Sequence, residues 1–349
     1  MNKSVYTKIL SKKNSPYFIA EIGINHNGSF DLAKKMIIAA KNSGADCVKF
    51  QSLKADKYIS SLAQKAPYQT NETKFKTKSQ LQIIKDCEIS IKEMIKLRNF
   101  CKKIKIDFLS TPFEIDSFRE LIKIGVKTIK ISSCNLTNIP FLKEVSKFNV
   151  NVLLSTGMSS LDEVITSYKI LEDKKLNLGI FQCTSNYPCK FENSNLNVLK
   201  TYQSIFDGPI GFSDHTFGTL PAIVATTMGV DMIEKHFTLS RELPGVDQKA
   251  SIEPIELKNL IEELKQIKKI KGSHVKKIVD EEIDTKLSLR RSLVAKKNLK
   301  KGSLVKKKDI TIKRPGTGIE PKFLDFIVGK KIKKNISKDE ILTLDKFTL

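Results

Sequence analysis

Residues 209–254 read PIGFSDHTFGTLPAIVATTMGVDMIEKHFTLSRELPGVDQKASIEP. Two short apolar runs, Pro209–Phe212 and Asp231–Ile233, each end in a polar cluster that contains a histidine, His215 and His236. Between them, Gly218–Met228 is a helix-length segment rich in Ala, Thr and apolar side chains. Strand, helix and strand in that order predict a parallel pair joined by a crossover. Both histidines then stand past the C-terminal ends of neighbouring parallel strands, the edge where α/β sheets and barrels bind ligands. Two neutral imidazoles with Asp214, Glu234 and Asp247 nearby suit a divalent cation. Two hydrogen-bonding histidines at strand ends would show the same spacing. His26 follows Phe18–Ile24 and is a third histidine at such an edge.

The same alternation extends outward along the chain. Apolar or β-branched runs occur at Phe18–Gly23, Asp46–Gln51, Asp107–Ser110, Lys127–Ser132, Asn151–Ser155 and Leu178–Cys183, ahead of the pair above. Helix-length amphipathic segments follow, among them Asp31–Ser43, Ile115–Ile124, Ile139–Phe148, Ser160–Glu172, Asn195–Phe206 and Pro254–Ile270. Eight such units predict an α/β fold of the (β/α)8 TIM-barrel type. A doubly wound open sheet is the alternative, but no Gly-rich dinucleotide fingerprint follows the first strand. Ser52–Ser90 is a polar insertion, and its tip, YQTNETKFKTKSQ, is expected to be a mobile loop over the barrel mouth.

Polar residues gather past the strands: Glu21, Lys49 with Gln51, Ser110 with Thr111, Lys130 with Ser133, Ser155, Ser185 with Tyr187, Ser213 with His215, and His236. One such group is ordinary, because Ser and Thr often cap the next helix. Eight in succession mark a site. Two lysines with several hydroxyls near helix N-termini would cradle a phosphate.

The barrel is expected to occupy residues 1–271, with 272–285 a linker and 286–349 a small β-rich domain. The last part holds a faint repeat, KNLKKGSLVKKKDI (Lys297–Ile310) against KNISKDEILTLDKF (Lys334–Phe347). Between the copies, Lys313-Arg314-Pro315-Gly316-Thr317-Gly318 reads as a turn presenting one arginine.

Net charge is +23, which invites a nucleic-acid reading. Yet only six of 61 basic residues are Arg, and there is no Trp to stack on bases. Phosphate and base recognition favours the guanidinium fork, so nucleic acid is not the expected partner. Small anionic substrates fit the charge equally well. No run approaches the length of a membrane span, and the N-terminal residues lack the apolar core of a secretory signal. Six scattered cysteines without a CxxC pair read as reduced thiols, and the expected location is the cytoplasm.

Nine segments carry a resemblance. AEIGINHNGSFDLAKKMIIAAKNSGADCVKFQ, LSTP, IKISSCNLTNIPFL, LLSTGMSSLDEV, CTSNYP, GFSDH, EKHFTL, GVDQKASIEP and IKRPGTG together resemble, in order, the N-acetylneuraminate (sialic acid) synthase family, which includes legionaminate and pseudaminate synthases. The resemblance implies a TIM barrel followed by a small antifreeze-like (SAF) domain. It also implies a domain-swapped homodimer in which the small domain of one subunit caps the barrel of the other. The implied reaction condenses phosphoenolpyruvate with an N-acylated mannosamine-type sugar, or with a 2,4-diacetamido-6-deoxy sugar, to give a nine-carbon keto acid and phosphate.

By position, the resemblance gives Lys49, Lys130, Ser133, Ser155, Ser185 and Ser213 to phosphoenolpyruvate, and His215 and His236 to a divalent metal, Mn²⁺ or Mg²⁺. Glu21 and Asp247 become the catalytic carboxylates. Gln51, Thr111, Asn135, Tyr187 and Asp247 would line the sugar, with Arg314 of the partner chain on its N-acyl group. One position departs. Many members carry Glu or Asp where this chain has Asn135, and an amide exchanges no proton, although it can hydrogen-bond the sugar. Two other readings stay open at this point: a Schiff-base aldolase using Lys130 or Lys49, and a non-catalytic polyanion binder working through the basic C-terminal part.

Overall fold

The computed structural model describes residues 3–65 and 77–348. Contacts divide the chain into two units, Met1–Gly272 and Ser273–Leu349.

The first unit is a parallel barrel. Its strands are β1 (Tyr17–Gly23), β2 (Cys47–Ser52), β3 (Asp107–Pro112), β4 (Thr128–Ile131), β5 (Asn151–Ser155), β6 (Leu178–Cys183), β7 (Ile210–Asp214) and β8 (Met232–His236). They hydrogen-bond in the order β3-β2-β1-β8-β7-β6-β5-β4, and β3 packs beside β4 to bring the ends together. Every expected strand is present, displaced by a residue or two at its ends. Around them run α1 (Val5–Ser11), α2 (Phe30–Asn42), α3 (Ala55–Tyr58), α4 (Gln80–Lys85), α5 (Ile91–Ile104), α6 (Ile115–Lys123), α7 (Ile139–Val145), α8 (Leu161–Glu172), α9 (Val198–Ile205), α10 (Leu220–Thr227) and α11 (Pro254–Lys271).

Period-two alternation sorts each strand. Phe18, Ala20 and Ile22 of β1 pack outward into the main core beneath the helices. Tyr17 and Ile19 join Cys47, Leu109, Leu153, Phe181 and Met232 in a separate inner cluster, completed by Val5 and Ile9 of α1. Thus α1 packs against the inner cluster at the strands' N-terminal ends, tied down by the ion pairs Lys8–Asp107 and Lys12–Asp46. The inner apolar cluster fills that end of the barrel, and the polar inward positions lie at the other.

Local signals account for the helix starts. Ser79, Ser90 and Ser160 each form a capping box with Gln82, Glu93 and Glu163, which satisfies N–H groups that a helix leaves free. The insertion after β2 contains α3 and α4, neither anticipated from its polar composition. Most of the tip expected to be mobile lies outside the described residues.

The second unit has its own core of Leu293, Ala295, Leu299, Val305, Ile310, Ile319, Ile327, Ile332, Ile336, Leu342 and Phe347. Residues 273–289 belong to this unit and end in α12 (Ile283–Leu289). Antiparallel pairs β9 (Ser292–Ala295) with β10 (Ile310–Lys313), and β11 (Lys331–Ile332) with β12 (Phe347–Thr348), each bracket one copy of the repeat. The two copies interlock reciprocally. Asn335 Oδ1 accepts from Lys301 N at 2.8 Å, Asn298 Oδ1 accepts from Lys338 N at 2.8 Å, and Leu299 bridges Ile336. No helix among the described residues is long and apolar enough to cross a membrane.

Candidate active site

Above the inner apolar cluster, the next inward positions are charged. Glu21 of β1 is paired in register with Lys49 of β2 on one side and His236 of β8 on the other, and Ser213 of β7 with Glu234 of β8. Lys49 Nζ lies 2.9 Å from Glu21 Oε2 and 3.6 Å from Glu234 Oε1. Lys130 Nζ reaches both oxygens of Glu234, at 2.9 and 3.0 Å, and stands 4.0 Å above the Phe181 ring. Ser213 Oγ donates to Glu234 Oε1 at 3.0 Å. All of these groups are buried. Gly23, at φ +56°, makes room for them, since a Cβ there would fall 3.2 Å from Glu21 Oε1 and 3.3 Å from Gln51 Nε2.

Burial and pairing pull these groups apart electrostatically. Burial raises Glu21 to about 7, against the opposing pull of Lys49. Burial pushes Glu234 the same way, but Lys130 and Lys49 outweigh it and hold it near 2. Lys130 is lowered by burial, whereas Lys49 is raised because Glu21 and Glu234 outweigh its burial. An ammonium held in such pairs is a poor amine nucleophile, which counts against Lys49 as a Schiff-base former.

These residues open into a cavity of about 360 Å³ at the strands' C-terminal ends. Its lining includes Glu21, Lys49, Gln51, Thr111, Lys130, Ser133, Ser155, Ser185, Tyr187, Ser213, His215, His236 and Asp247. Thirteen of the fifteen residues to which the resemblance gives a role thus meet in one chamber.

The β4–β6 side is hydroxyl-rich. Gly157 N donates to Ser133 Oγ at 2.9 Å, and a Cβ on Gly157 would come 2.3 Å from Ser185 Oγ. Glycine there lets the two serines converge on bare backbone, a cradle of the kind a phosphate fits. The β7–β8 side carries the histidines, their rings 5.5 Å apart, with Tyr187 tilted against His215 at 4.2 Å. His215 Nδ1 lies 2.8 Å from the Thr184 carbonyl, which can only accept, so Nδ1 carries a proton and Nε2 is the nitrogen left to bind a cation; burial lowers this imidazole, but Cys183 and the Thr184 carbonyl outweigh it and raise it. His236 Nδ1 is buried without a hydrogen-bond partner among the described residues, 3.9 Å from Asp247 Oδ2. Burial, with His215 and Lys49 nearby, lowers His236 well below the usual range. Burial lifts Asp247 to about 6.

Two such imidazoles, one aimed by a carbonyl and one orphaned, fit a divalent cation. No group of three or more His, Cys, Asp or Glu is gathered to hold a metal among the described residues. A cation on the two histidines would therefore keep positions open for substrate.

Several expectations need correction. Asp214 is not beside the histidines' cavity: its carboxylate accepts from Lys235 Nζ at 2.8 Å and from Thr216, on the outward face that alternation gives Lys235. Asn135 lies behind the wall, where its amide donates to the Phe113 carbonyl at 3.0 Å and accepts from Asn138 at 3.0 Å. It is a structural tie. His26 is buried beside Phe50, its Nδ1 accepting from Gly28 N at 3.1 Å, and it does not line the cavity. Arg314 belongs to the second unit, exposed at the end of β10.

Glu234, named from the sequence only as a neighbour of the histidines, has another part here, and Cys183, Tyr58, Gln80, Ile84 and Phe113 join the site without having been named for it. Glu234 pairs with both lysines, and the Met232–Glu234–His236 alternation in β8 is the signal that places it inward. Cys183 Sγ stands 3.8 Å from His215 Nδ1; burial would raise this thiol, but His215 brings it down to about 7. Tyr58, Gln80, Ile84 and Phe113 line the mouth and come largely from the insertion and loops.

Comparison with known proteins agrees with the geometry. The NeuB family model matches residues 36–276, and the SAF domain model matches residues 290–348. The chain is 42% identical to the N,N'-diacetyllegionaminic acid synthase of Campylobacter jejuni, over 93% of this chain and 98% of that one. It is 31% identical to human N-acetylneuraminate-9-phosphate synthase, over 93% and 91%. The crystal structure of N-acetylneuraminic acid (sialic acid) synthetase from Leptospira borgpetersenii superposes with a TM-score of 0.69 at 33% identity, covering 78% of this chain and 90% of that one. With barrel, chamber and matches in register, this chain belongs to the NeuB family of sialic acid synthases and carries the SAF domain after its barrel in sequence.

Proposed function

We propose that the barrel condenses phosphoenolpyruvate with the open-chain aldehyde of an N-acylated mannosamine-type sugar and with water, giving a nine-carbon 2-keto acid and phosphate. One observation carries the reading: a lysine-and-hydroxyl wall faces a histidine-and-carboxylate wall across one buried chamber. The first suits a small phosphorylated acid. The second suits a carbonyl that must be polarised.

Lys130, Ser133, Ser155, Ser185 and Ser213 hold the phosphate and carboxylate, with Lys49 beside them. Here the two ammonium groups offset charge in a water-poor site, where such interactions are strong. His215 and His236 would hold Mn²⁺ or Mg²⁺, which supplies Lewis-acid polarisation of the sugar carbonyl. Gln51, Thr111, Tyr187 and Asp247 orient the sugar so that its aldehyde carbon meets the enol carbon. Bond formation leaves the former enol carbon cationic, and water adds there before phosphate departs. Glu21, near 7, is suited to take that water's proton at neutral pH, and Asp247 beside His236 to protonate the new hydroxyl.

Arg314 enters this reading as a cap supplied by the partner subunit of a homodimer, contacting the N-acyl group. It is exposed and forms no ion pair with any described residue. Phosphoenolpyruvate is a cytoplasmic metabolite, so the same reading places the enzyme there. The test is stoichiometric phosphate and keto-acid formation that requires both the sugar and the cation.

A further inference from the structure

Each of the two histidines stands next to one half of a buried ion pair. Asp214 precedes His215, and Lys235 precedes His236. Lys235 Nζ donates to Asp214 Oδ2 at 2.8 Å and to the Thr216 carbonyl at 2.8 Å. A single ammonium, from the residue before His236, thus holds both neighbours of His215. Asp214 Oδ1 accepts from Thr216 N at 2.9 Å and from Thr216 Oγ1 at 2.7 Å, which closes the turn around His215. Asp214, Thr216 and Lys235 are all buried.

Their place in the sheet explains what charges do there. Two residues earlier the outward pair is Phe212 with Ile233, both packed into the main core. The β7–β8 register ends at Asp214 with Lys235. There the strands part: Thr216 bridges Cys189 beyond β6, whereas His236 pairs with Glu21 of β1. The ion pair stands at the fork, one residue short of each imidazole. An apolar pair would fill the space at least as stably, because the cost of burying two charges offsets most of their attraction. Apolar side chains lack direction. Four directed bonds here set where His215 leaves β7 relative to His236.

We infer that Asp214 and Lys235 are positioning residues for a cation on the two histidines, fixing the separation of rings that stand 5.5 Å apart. This rests on the cation proposed above for His215 and His236. Partners behind the ligands of a metal site are worth about 10- to 100-fold in its affinity. The experiment is equilibrium dialysis of Mn²⁺ with the full chain and its variants, beside the Kd for phosphoenolpyruvate and thermal unfolding. Asp214→Asn with Lys235→Met removes both charges and strands neither, so the double variant should fold. Its Kd for Mn²⁺ should rise about 10- to 100-fold. Its Kd for phosphoenolpyruvate, most of whose proposed contacts lie over β4 to β6, should stay within about threefold. Asp46→Asn with Lys12→Met takes an ion pair from the opposite end of the barrel and should leave both constants within about twofold.

Mn²⁺ affinity within about threefold of wild type in the Asp214/Lys235 double variant overturns the inference. An equal loss in the Asp46/Lys12 control, or an equal loss of phosphoenolpyruvate binding, also overturns it, since either marks general loosening. Thr216→Val keeps both charges and gives a second test that does not depend on the double variant folding. Losing the hydroxyl that braces Asp214 should weaken Mn²⁺ at least about threefold, and an unchanged constant overturns the inference. Wild-type protein that retains no stoichiometric Mn²⁺ overturns the cation reading itself, and this inference with it.

Discussion

Lys130 Nζ touches both carboxylate oxygens of Glu234, at 2.9 and 3.0 Å, inside the barrel and out of contact with bulk water. A buried pair of this kind is weak evidence of stability when intact, yet losing one partner strands the other charge. Glu234→Leu strands Lys130, while Lys49 keeps Glu21 at 2.9 Å. Urea unfolding should show about 3–5 kcal/mol less stability than the wild type. Saturating phosphoenolpyruvate should restore part of that loss, because the bound anion supplies the missing charge.

Glu21 allows a pH prediction with a defined sign. Its folded-state value, about 7, lies above the ordinary 4.5, so the folded chain holds this proton more tightly than the unfolded chain does. The resulting stability is fully present below the ordinary value and is lost as pH rises through about 7. The loss should amount to about 3 kcal/mol at most. Unfolding of wild type and Glu21→Gln at pH 5 and pH 8 measures it, and the variant should lack this part of the decline. Equal slopes in both proteins would show that Glu21 keeps an ordinary carboxylate value.

Much of this arrangement is legible in the sequence, and the exceptions have physical causes. Eight strands and their order follow from apolar runs and helix-length gaps, since an all-parallel sheet needs both. In β8, alternation puts Met232, Glu234 and His236 inward and Lys235 outward. Applied across β7 as well, it separates Asp214 from the catalytic face. Nearness in sequence to His215 misplaces it. Asn135 fails for another reason: its amide is spent on Asn138, three residues on, and on the Phe113 carbonyl, a distant partner that no spacing reveals. The helices of the insertion are short and polar, so periodicity is faint, although the Ser79–Gln82 capping box marks the start of α4. In the second unit the repeat was visible. Its meaning, the reciprocal Asn298 and Asn335 bonds, appears only once the chain is folded.

The glycine at the phosphate cradle should be intolerant of a single methyl. Gly157→Ala places a carbon against Ser185 Oγ and Ser133 Oγ, so one serine must move. KM for phosphoenolpyruvate should rise about tenfold or more while the thermal midpoint changes little. A variant with wild-type KM would remove these serines from the phosphate site.

The two histidines should act as a unit. His215→Ala and His236→Ala are each expected to abolish stoichiometric Mn²⁺ retention in equilibrium dialysis and to reduce turnover at least about 100-fold. Full turnover in the double variant would exclude a metal held there.

If the arginine cap comes from the partner, two dead enzymes should rescue each other. Glu21→Ala and Arg314→Ala proteins, mixed under conditions that exchange subunits, should regain up to about a quarter of wild-type activity through hybrid dimers. Demonstrated exchange with no recovery would place the cap on its own barrel.

The most direct test of the condensation is a mass balance. Purified protein, phosphoenolpyruvate, an N-acylated amino sugar and Mn²⁺ should yield phosphate and a nine-carbon keto acid in equal amounts, and EDTA should stop both. Phosphate released without sugar, or a borohydride-trapped adduct on Lys130 or Lys49 with indifference to EDTA, would contradict the account.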